Sequence, residues 1–298
     1  MSSSLEVPVP GGTLAAFGAA SAASGAPTVL AIHGITANSR AWLAVARALG
    51  SQASLVAVDL RGRGASRALP APYGIGSHAA DMVAVLDALD LEQAVVVGHS
   101  LGAYIAAALA VEHPERVGGL VLVDGGLKVP GSEGVDPQKF LDAFLGPALA
   151  RLRLSFATRG EYRDWWRAHP ALATGDVADA DLDAYADHDL VGSEPQLRSS
   201  VVEAAVRADA ADLFTTAEAA QKLTVPATLL CAPRGLADDP NPMQPIKLVR
   251  AWIAGAPRQR KLVPVPDVNH YTIAMGRRGA EAVAHAILGT VADLPHDI

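Results

Sequence analysis

The sequence predicts an α/β protein: a mostly parallel, eight-stranded sheet with helices on both faces. Three observations carry that reading. Short apolar runs rich in β-branched residues recur, among them "TVLAIHG" (Thr28–Gly34), "SLVAVDL" (Ser54–Leu60) and "AVVVGHS" (Ala94–Ser100). Strands covered on both faces read as such unbroken hydrophobic runs, whereas a half-exposed strand alternates. Helix-length amphipathic segments separate the runs, which is the pattern of a parallel sheet. The rhythm then stops between Gly126 and Ala227, where helical patterns follow one another without a convincing buried strand.

The elements follow in order. "LEVPVP" and "GTLAAFG" form an antiparallel hairpin on the sheet edge. "TVLAIHG" is the third strand and leads into a helix over Arg40–Gly50. "SLVAVDL" is followed by a Gly/Arg loop and a helix over His78–Leu89. "AVVVGHS" feeds the helical "LGAYIAAALAVEHP", and "GLVLVDGG" (Gly119–Gly126) is the sixth strand. After the insertion come "ATLLCAP" (Ala227–Pro233), a helix over Pro245–Ala254, "KLVPVP" (Lys261–Pro266) and a last helix over Arg277–Val291. The domain reading is a sheet core over residues 1–128 and 223–298, with a helical cap over 129–222 inserted after strand 6.

Composition narrows the partners. The 298 residues, half of them hydrophobic, suffice for a large core. Lys plus Arg number 24 against 31 Asp plus Glu, a net charge of −7, and no basic cluster stands out, which argues against nucleic acid. The single cysteine, Cys231, excludes an internal disulfide framework and sits in an apolar strand context. "MSSSLEVPVPGG" has neither the basic nor the apolar stretch of a signal peptide. The longest apolar helical run, Ala103–Val111, is too short to span a bilayer. The expectation is a soluble cytoplasmic protein acting on a small molecule, with no membrane partner and with self-association left open.

The chemistry centres on "GHSLG", Gly98–Gly102. A glycine two residues either side of Ser100, where a strand gives way to a helix, suits a turn that presents the hydroxyl as a nucleophile. Serine is a poor nucleophile without a base and a group to orient that base. Sites in parallel sheets lie at the C-terminal strand ends. His270 follows the last strand, and Asp238 and Asp239 lie in the loop after "ATLLCAP". The N–H of Leu101, just after the serine, and that of Ile35, in the loop after the third strand, are the candidate oxyanion donors.

Five stretches in one order, "HG" at His33–Gly34, "DLRGRGAS" at Asp59–Ser66, "GHSLG", "GLADDP" and "NHYT", resemble those of the capped, single-domain α/β-hydrolases that include esterases and lactonases. The resemblance implies Ser100 as nucleophile and His270 as general base. Gly-x-x-Asp counting from Gly235 implies Asp238 as the acid, put first; an Asp-Pro pairing implies Asp239 as the alternative; relatives with the acid after strand 6 make Asp124 the third choice, its more usual role being structural. Relatives that open epoxides or cleave carbon–halogen bonds carry Asp at the elbow, where this chain has Ser. The implied activity is hydrolysis of a small to medium, largely apolar ester or lactone through an acyl-serine, with no cofactor. Carbon–carbon hydrolysis, a lyase or cofactor-free oxygen reaction on the same triad, and a small-molecule receptor are the alternatives.

The insertion holds eight of the chain's fourteen Phe, Trp and Tyr residues between Phe140 and Phe214. They read first as the core of a small helical unit, with Trp165 and Trp166 roofing a pocket to which His33 and Tyr271 also contribute; His33 reads besides as shaping the oxyanion loop through a backbone hydrogen bond. Six aspartates between Asp176 and Asp189 read as a solvated helix face. His99 reads as packing or hydrogen-bonding under the turn. "RGRGAS" lacks the endings of phosphate-binding loops and reads as a loop packed near the elbow. No His or Cys pair has metal-ligand spacing.

Overall fold

Strand pairing in the computed structural model follows the apolar runs. The structure describes residues 3–18, 25–129, 131, 137–216, 218–256 and 258–294. The strands are β1 (Ser3–Val9), β2 (Gly12–Gly18), β3 (Thr28–Ile32), β4 (Ser54–Val58), β5 (Ala94–His99), β6 (Val117–Val123), β7 (Leu190–Val191), β8 (Arg198–Ser199), β9 (Ala227–Cys231) and β10 (Arg260–Pro264). Eight of them form one sheet in the order β1-β2-β4-β3-β5-β6-β9-β10. β1 and β2 are an antiparallel hairpin, β2 meets β4 antiparallel, and the remaining pairs are parallel.

The helices are α1 (Leu43–Leu49), α2 (Ile75–Ala88), α3 (Leu101–Glu112), α4 (Pro137–Leu152), α5 (Arg159–Arg167), α6 (Asp179–Asp189), α7 (Glu203–Thr216), α8 (Ile246–Gly255), α9 (Thr272–Met275) and α10 (Arg277–Ala292). Residues of α2, α3 and α8 pack with one face of the sheet around Leu30, Val96 and Leu120. Residues of α1 and α10 pack with the other around Ala31, Val97 and Val121. Every residue of β4, β5 and β9 is buried, which is why these strands carry no polar alternation.

Three local differences from the sequence reading have physical causes. The helix read over Arg40–Gly50 begins as a 3₁₀ turn, Ser39–Trp42, capped by the Asn38 side chain accepting from the Arg40 N–H at 2.9 Å. Helix α2 starts at Ile75, ahead of His78, because aspartates of α7 accept its first N–H groups: Asp209 takes that of Gly74 and Asp212 that of Ile75. Such a cap from another helix satisfies the orphan donors of a helix start and has no local sequence signature. Between β6 and β9, β7 and β8 pair as a hairpin of two residues each, too short to show a hydrophobic pattern.

The aspartate run also differs. Asp181 pairs with Arg47, Asp183 with Arg167, Asp187 with Arg163, and Asp189 is buried against Arg151. The face is a set of ion pairs rather than a merely solvated surface. The aromatic residues behave as expected of a core: Phe156, Tyr162, Trp166 and Tyr185 pack with Leu172, Leu182 and Met275. The side chains of Phe140, Phe144 and Phe214 lie outside the described residues, as do Met1, Ser2 and His296.

Candidate active site

Ser100 stands between the last residue of β5 and the first of α3, with φ 54° and ψ −119°. A left-handed conformation is strained for a residue with a Cβ and persists only where the surroundings over-determine it. Here the glycines do so by close approach. A Cβ on Gly98 would lie 2.1 Å from the carbonyl oxygen of Gly102, and one on Gly102 would lie 2.1 Å from that of Ile32. Neither position accepts any side chain, so the strand turns into the helix within one residue.

His270, buried in the turn after β10, places its Nδ1 2.7 Å from Oδ2 of Asp124. Asp124 follows β6 with φ 47° and is 1% exposed. Its other carboxylate oxygen accepts the Ala232 N–H at 3.2 Å, and its own N–H donates to Leu230 O at 2.8 Å. The carboxylate is therefore fixed against β9 and leaves one oxygen for the imidazole. A carboxylate on Nδ1 sets the tautomer, with the proton on Nδ1 and Nε2 free to accept.

The carboxylate that meets His270 is thus Asp124, not the Asp238 put first from the sequence. Asp238, φ 61°, accepts from Nδ2 of Asn269 at 2.9 Å and pairs with Arg234 at 3.1 Å. Asp239 accepts the Asn241 N–H at 3.0 Å within its own loop. Neither hydrogen-bonds His270. The residue that Asp238 reaches is the neighbour in sequence, Asn269, whose side chain also donates to Ala171 O.

The loop after β3 is held by side chains at three successive carbonyls. His33 donates from Nδ1 to Gly34 O at 2.7 Å while its Nε2 accepts the Leu60 N–H at 3.0 Å. Burial lowers the His33 pKa to about 4, so the ring is neutral at pH 7. Arg63 donates from Nε and Nη2 to Ile35 O at 3.0 and 2.9 Å, and is ion-paired with Asp209 at 2.6 Å. Arg151 donates from Nη2 to Thr36 O at 3.1 Å. "RGRGAS" thus braces this loop, and the buried Asp59, two residues before it, accepts the Ser39 and Ala65 N–H groups at 2.8 Å each. Burial alone would raise the Asp59 pKa, but the His188 hydrogen bond, at 2.6 Å, and charge more than offset it, and the pKa is lowered. Under the elbow, His99 donates from Nε2 to His270 O at 2.8 Å, and burial keeps its ring neutral.

Ser100 and His270 line one cavity of about 300 Å³. Trp165, Trp166 and Tyr271 are in its wall, as read from the sequence, and so is Ile35, read there as an oxyanion donor. His33 is not: it lies fully buried behind the loop, its two nitrogens engaged by backbone, and this corrects its reading as a pocket residue. Leu101 is buried as the first residue of α3, where a helix leaves its N–H groups unpaired.

The sequence reading missed Arg151, His169 and Tyr185, which also face the cavity. An arginine in "PALARLRL" carries no signal beyond a charge among apolar residues. Burial, reinforced by Arg151, lowers the His169 pKa, and burial raises those of Tyr185 and Tyr271. Cys231 is buried in β9, its thiol pushed up to about 12 by burial. Among the described residues no group of three His, Cys, Asp or Glu is placed to hold a metal ion, and no helix is long and apolar enough to cross a membrane.

Comparison with known proteins meets this geometry. Over 104 residues the chain is 43% identical to a Caulobacter segnis protein named as a carbamate hydrolase, RutD, covering 34% of this chain and 39% of that one. Over 171 residues it is 35% identical to the lipase LipV of Mycobacterium tuberculosis, covering 56% and 59%. The chain thus spans less than two thirds of the length of these curated relatives. The crystal structure of E-2-(acetamidomethylene)succinate hydrolase superposes with a TM-score of 0.77 at 21% identity, over 97% of this chain and 99% of that one, a likeness of fold. The sequence profile of the alpha/beta hydrolase fold matches residues 27–181, more than half of the chain, and the protein belongs to the α/β-hydrolase family.

Proposed function

We propose that the protein is a serine hydrolase that cleaves a small to medium carboxylic ester or lactone through an acyl-serine intermediate. The observation that carries this reading is the convergence on one cavity of a serine in a left-handed turn and a histidine whose Nδ1 rests on a buried carboxylate. Asp124 is the acid in this reading. It holds the His270 tautomer and stabilises the imidazolium that forms.

Nε2 of His270 takes the Ser100 Oγ proton as Oγ attacks the carbonyl carbon. The N–H groups of Ile35 and Leu101 receive the developing oxyanion, and the bracing of the Gly34, Ile35 and Thr36 carbonyls keeps the loop from reorganising during reaction. His270 returns the proton to the leaving oxygen. A water molecule, giving its proton to Nε2, then attacks the acyl carbon; Oγ leaves and takes that proton back. The small cavity, near the lower end of the usual range for ligand sites, favours a compact acyl group over a peptide or a long chain.

The test is hydrolysis of 4-nitrophenyl esters from acetate to octanoate by wild type and Ser100→Ala side by side. Turnover falling roughly a million-fold in the variant supports the acyl-serine route. Turnover that survives in Ser100→Ala, or product analysis showing elimination or carbon–carbon cleavage instead of acyl transfer, overturns it.

A further inference from the structure

Arg151 is the one Lys, Arg, Asp or Glu around the cavity among the described residues. Its side chain is 2% exposed, and a buried guanidinium is retained only where partners compensate its desolvation. Those partners account for part of it. Nη1 reaches Asp189 Oδ2 at 2.5 Å, Tyr162 Oη at 2.6 Å and Ser199 Oγ at 3.1 Å, and Nη2 donates to Thr36 O at 3.1 Å. The guanidinium carbon lies 4.9 Å from the Trp166 ring centre, so the indole covers one face.

A guanidinium carries five N–H donors. After these contacts, the Nε–H and the second hydrogen of Nη2 have no hydrogen-bond acceptor among the described residues. Two unused donors on one guanidinium are what a carboxylate can take up in charge-assisted contacts. With Nη1 turned to Asp189 and one face under Trp166, these donors are the part of Arg151 left for a ligand, and Arg151 lines the cavity.

Asp189 pairs with Nη1 but does not take these donors. It is absent from the cavity wall, and its oxygens also accept from the Tyr162 and Ser199 hydroxyls and from both the N–H and hydroxyl of Ser200. The neighbouring groups are not anions either. Tyr185 and Tyr271 remain protonated, and His169 is neutral at pH 7. An apolar cavity with one arginine, paired to Asp189 but with donors still unused, is complementary to an apolar molecule bearing one planar anion.

We propose that Arg151 binds a carboxylate of the substrate, and that the substrate is a small ester or lactone bearing a free carboxylate remote from the scissile carbonyl. This rests on the acyl-serine reading and replaces a wholly apolar substrate with a monoanionic one. Arg151 also braces the Thr36 carbonyl, a role that acts on every substrate alike; recognition acts on the anionic one alone. The two are separable by a ratio.

The experiment compares monoethyl glutarate with ethyl 5-methylhexanoate, in which an isopropyl group replaces the carboxylate, by pH-stat titration. Wild type is expected to favour the anionic ester by at least roughly tenfold in kcat/KM, as a charge-assisted contact supplies. In Arg151→Met the ratio is expected to fall to about one or below, however far both rates drop, and Arg151→Lys is expected to keep part of it. A wild-type ratio near one, or one favouring the isopropyl ester, overturns the carboxylate proposal and leaves the acyl-serine reading standing. If neither ester is hydrolysed and a phosphonate probe fails to label Ser100, the acyl-serine reading falls. Calorimetric binding of the two esters to Ser100→Ala then decides recognition by itself. Tighter binding of the glutarate ester supports carboxylate recognition, and equal or weaker binding overturns it. The wild-type ratio stands whether or not Arg151→Met folds.

Discussion

The ends of β6 and β9 each present an aspartate in a left-handed backbone, Asp124 at φ 47° and Asp238 at φ 61°, and only the first meets His270. The two differ in what surrounds them. Asp124 is 1% exposed, held by the backbone of β9, with its free oxygen turned to the imidazole. Asp238 has a side chain 27% exposed and divides its contacts between Arg234 and Asn269. A carboxylate orients a histidine only if its own position is over-determined, and a strand end inside the sheet supplies that where a partly exposed loop does not.

The sharpest way to break this comparison is to neutralise each carboxylate. Asp124→Asn is expected to lower kcat on the order of 10⁴-fold, because the amide favours the wrong His270 tautomer. Asp238→Asn is expected to change kcat less than about fivefold. Steady-state kinetics on one ester suffice, and a reversal of the two effects returns the acid to the β9 loop.

A second contrast lies between buried and exposed ion pairs. Arg63→Met leaves Asp209 buried without its cation and releases the Ile35 carbonyl. A loss of about 3–5 kcal/mol is expected in urea unfolding, the range for breaking a buried pair. Arg47 pairs with Asp181 with its own side chain 63% exposed. Arg47→Ala is therefore expected to change stability by less than about 1 kcal/mol, and less still in high salt.

Between these two in size is an acid effect from His33. With a folded pKa of about 4 against an ordinary 6.5, His33 is protonated in the unfolded chain before it is in the fold. Stability is intact above about pH 7 and is lost as pH falls from about 6.5 to 4, by up to about 3 kcal/mol. Urea midpoints between pH 7 and 4 are expected to fall more steeply in wild type than in His33→Asn. Parallel curves remove His33 as the source.

Much of this was legible because it is local. Ser100 was found from two glycines and a strand–helix junction, and the close approaches at Gly98 and Gly102 are the physical content of that motif. The sheet strands were found because burial on both faces leaves continuous apolar runs. His270 followed from its place after the last strand. The acid was less legible: Asp124, Asp238 and Asp239 all lie just beyond strand ends, and spacing ranks them without regard to what fixes each carboxylate.

By itself the sequence determined the fold class, the turn that presents Ser100 and the histidine available to it, since each depends on residues near in the chain. Tertiary structure alone decided that Asp124 takes His270, that His33 stays outside the cavity wall, and that Arg151 brings a charge to the cavity. Those outcomes depend on pairs 146, 27 and 115 residues apart: Asp124 with His270, His33 with Leu60, and Thr36 with Arg151. Hydrophobic periodicity records which face of an element is buried. It carries no record of which distant polar group arrives there, and the chemistry of this site is made of such arrivals.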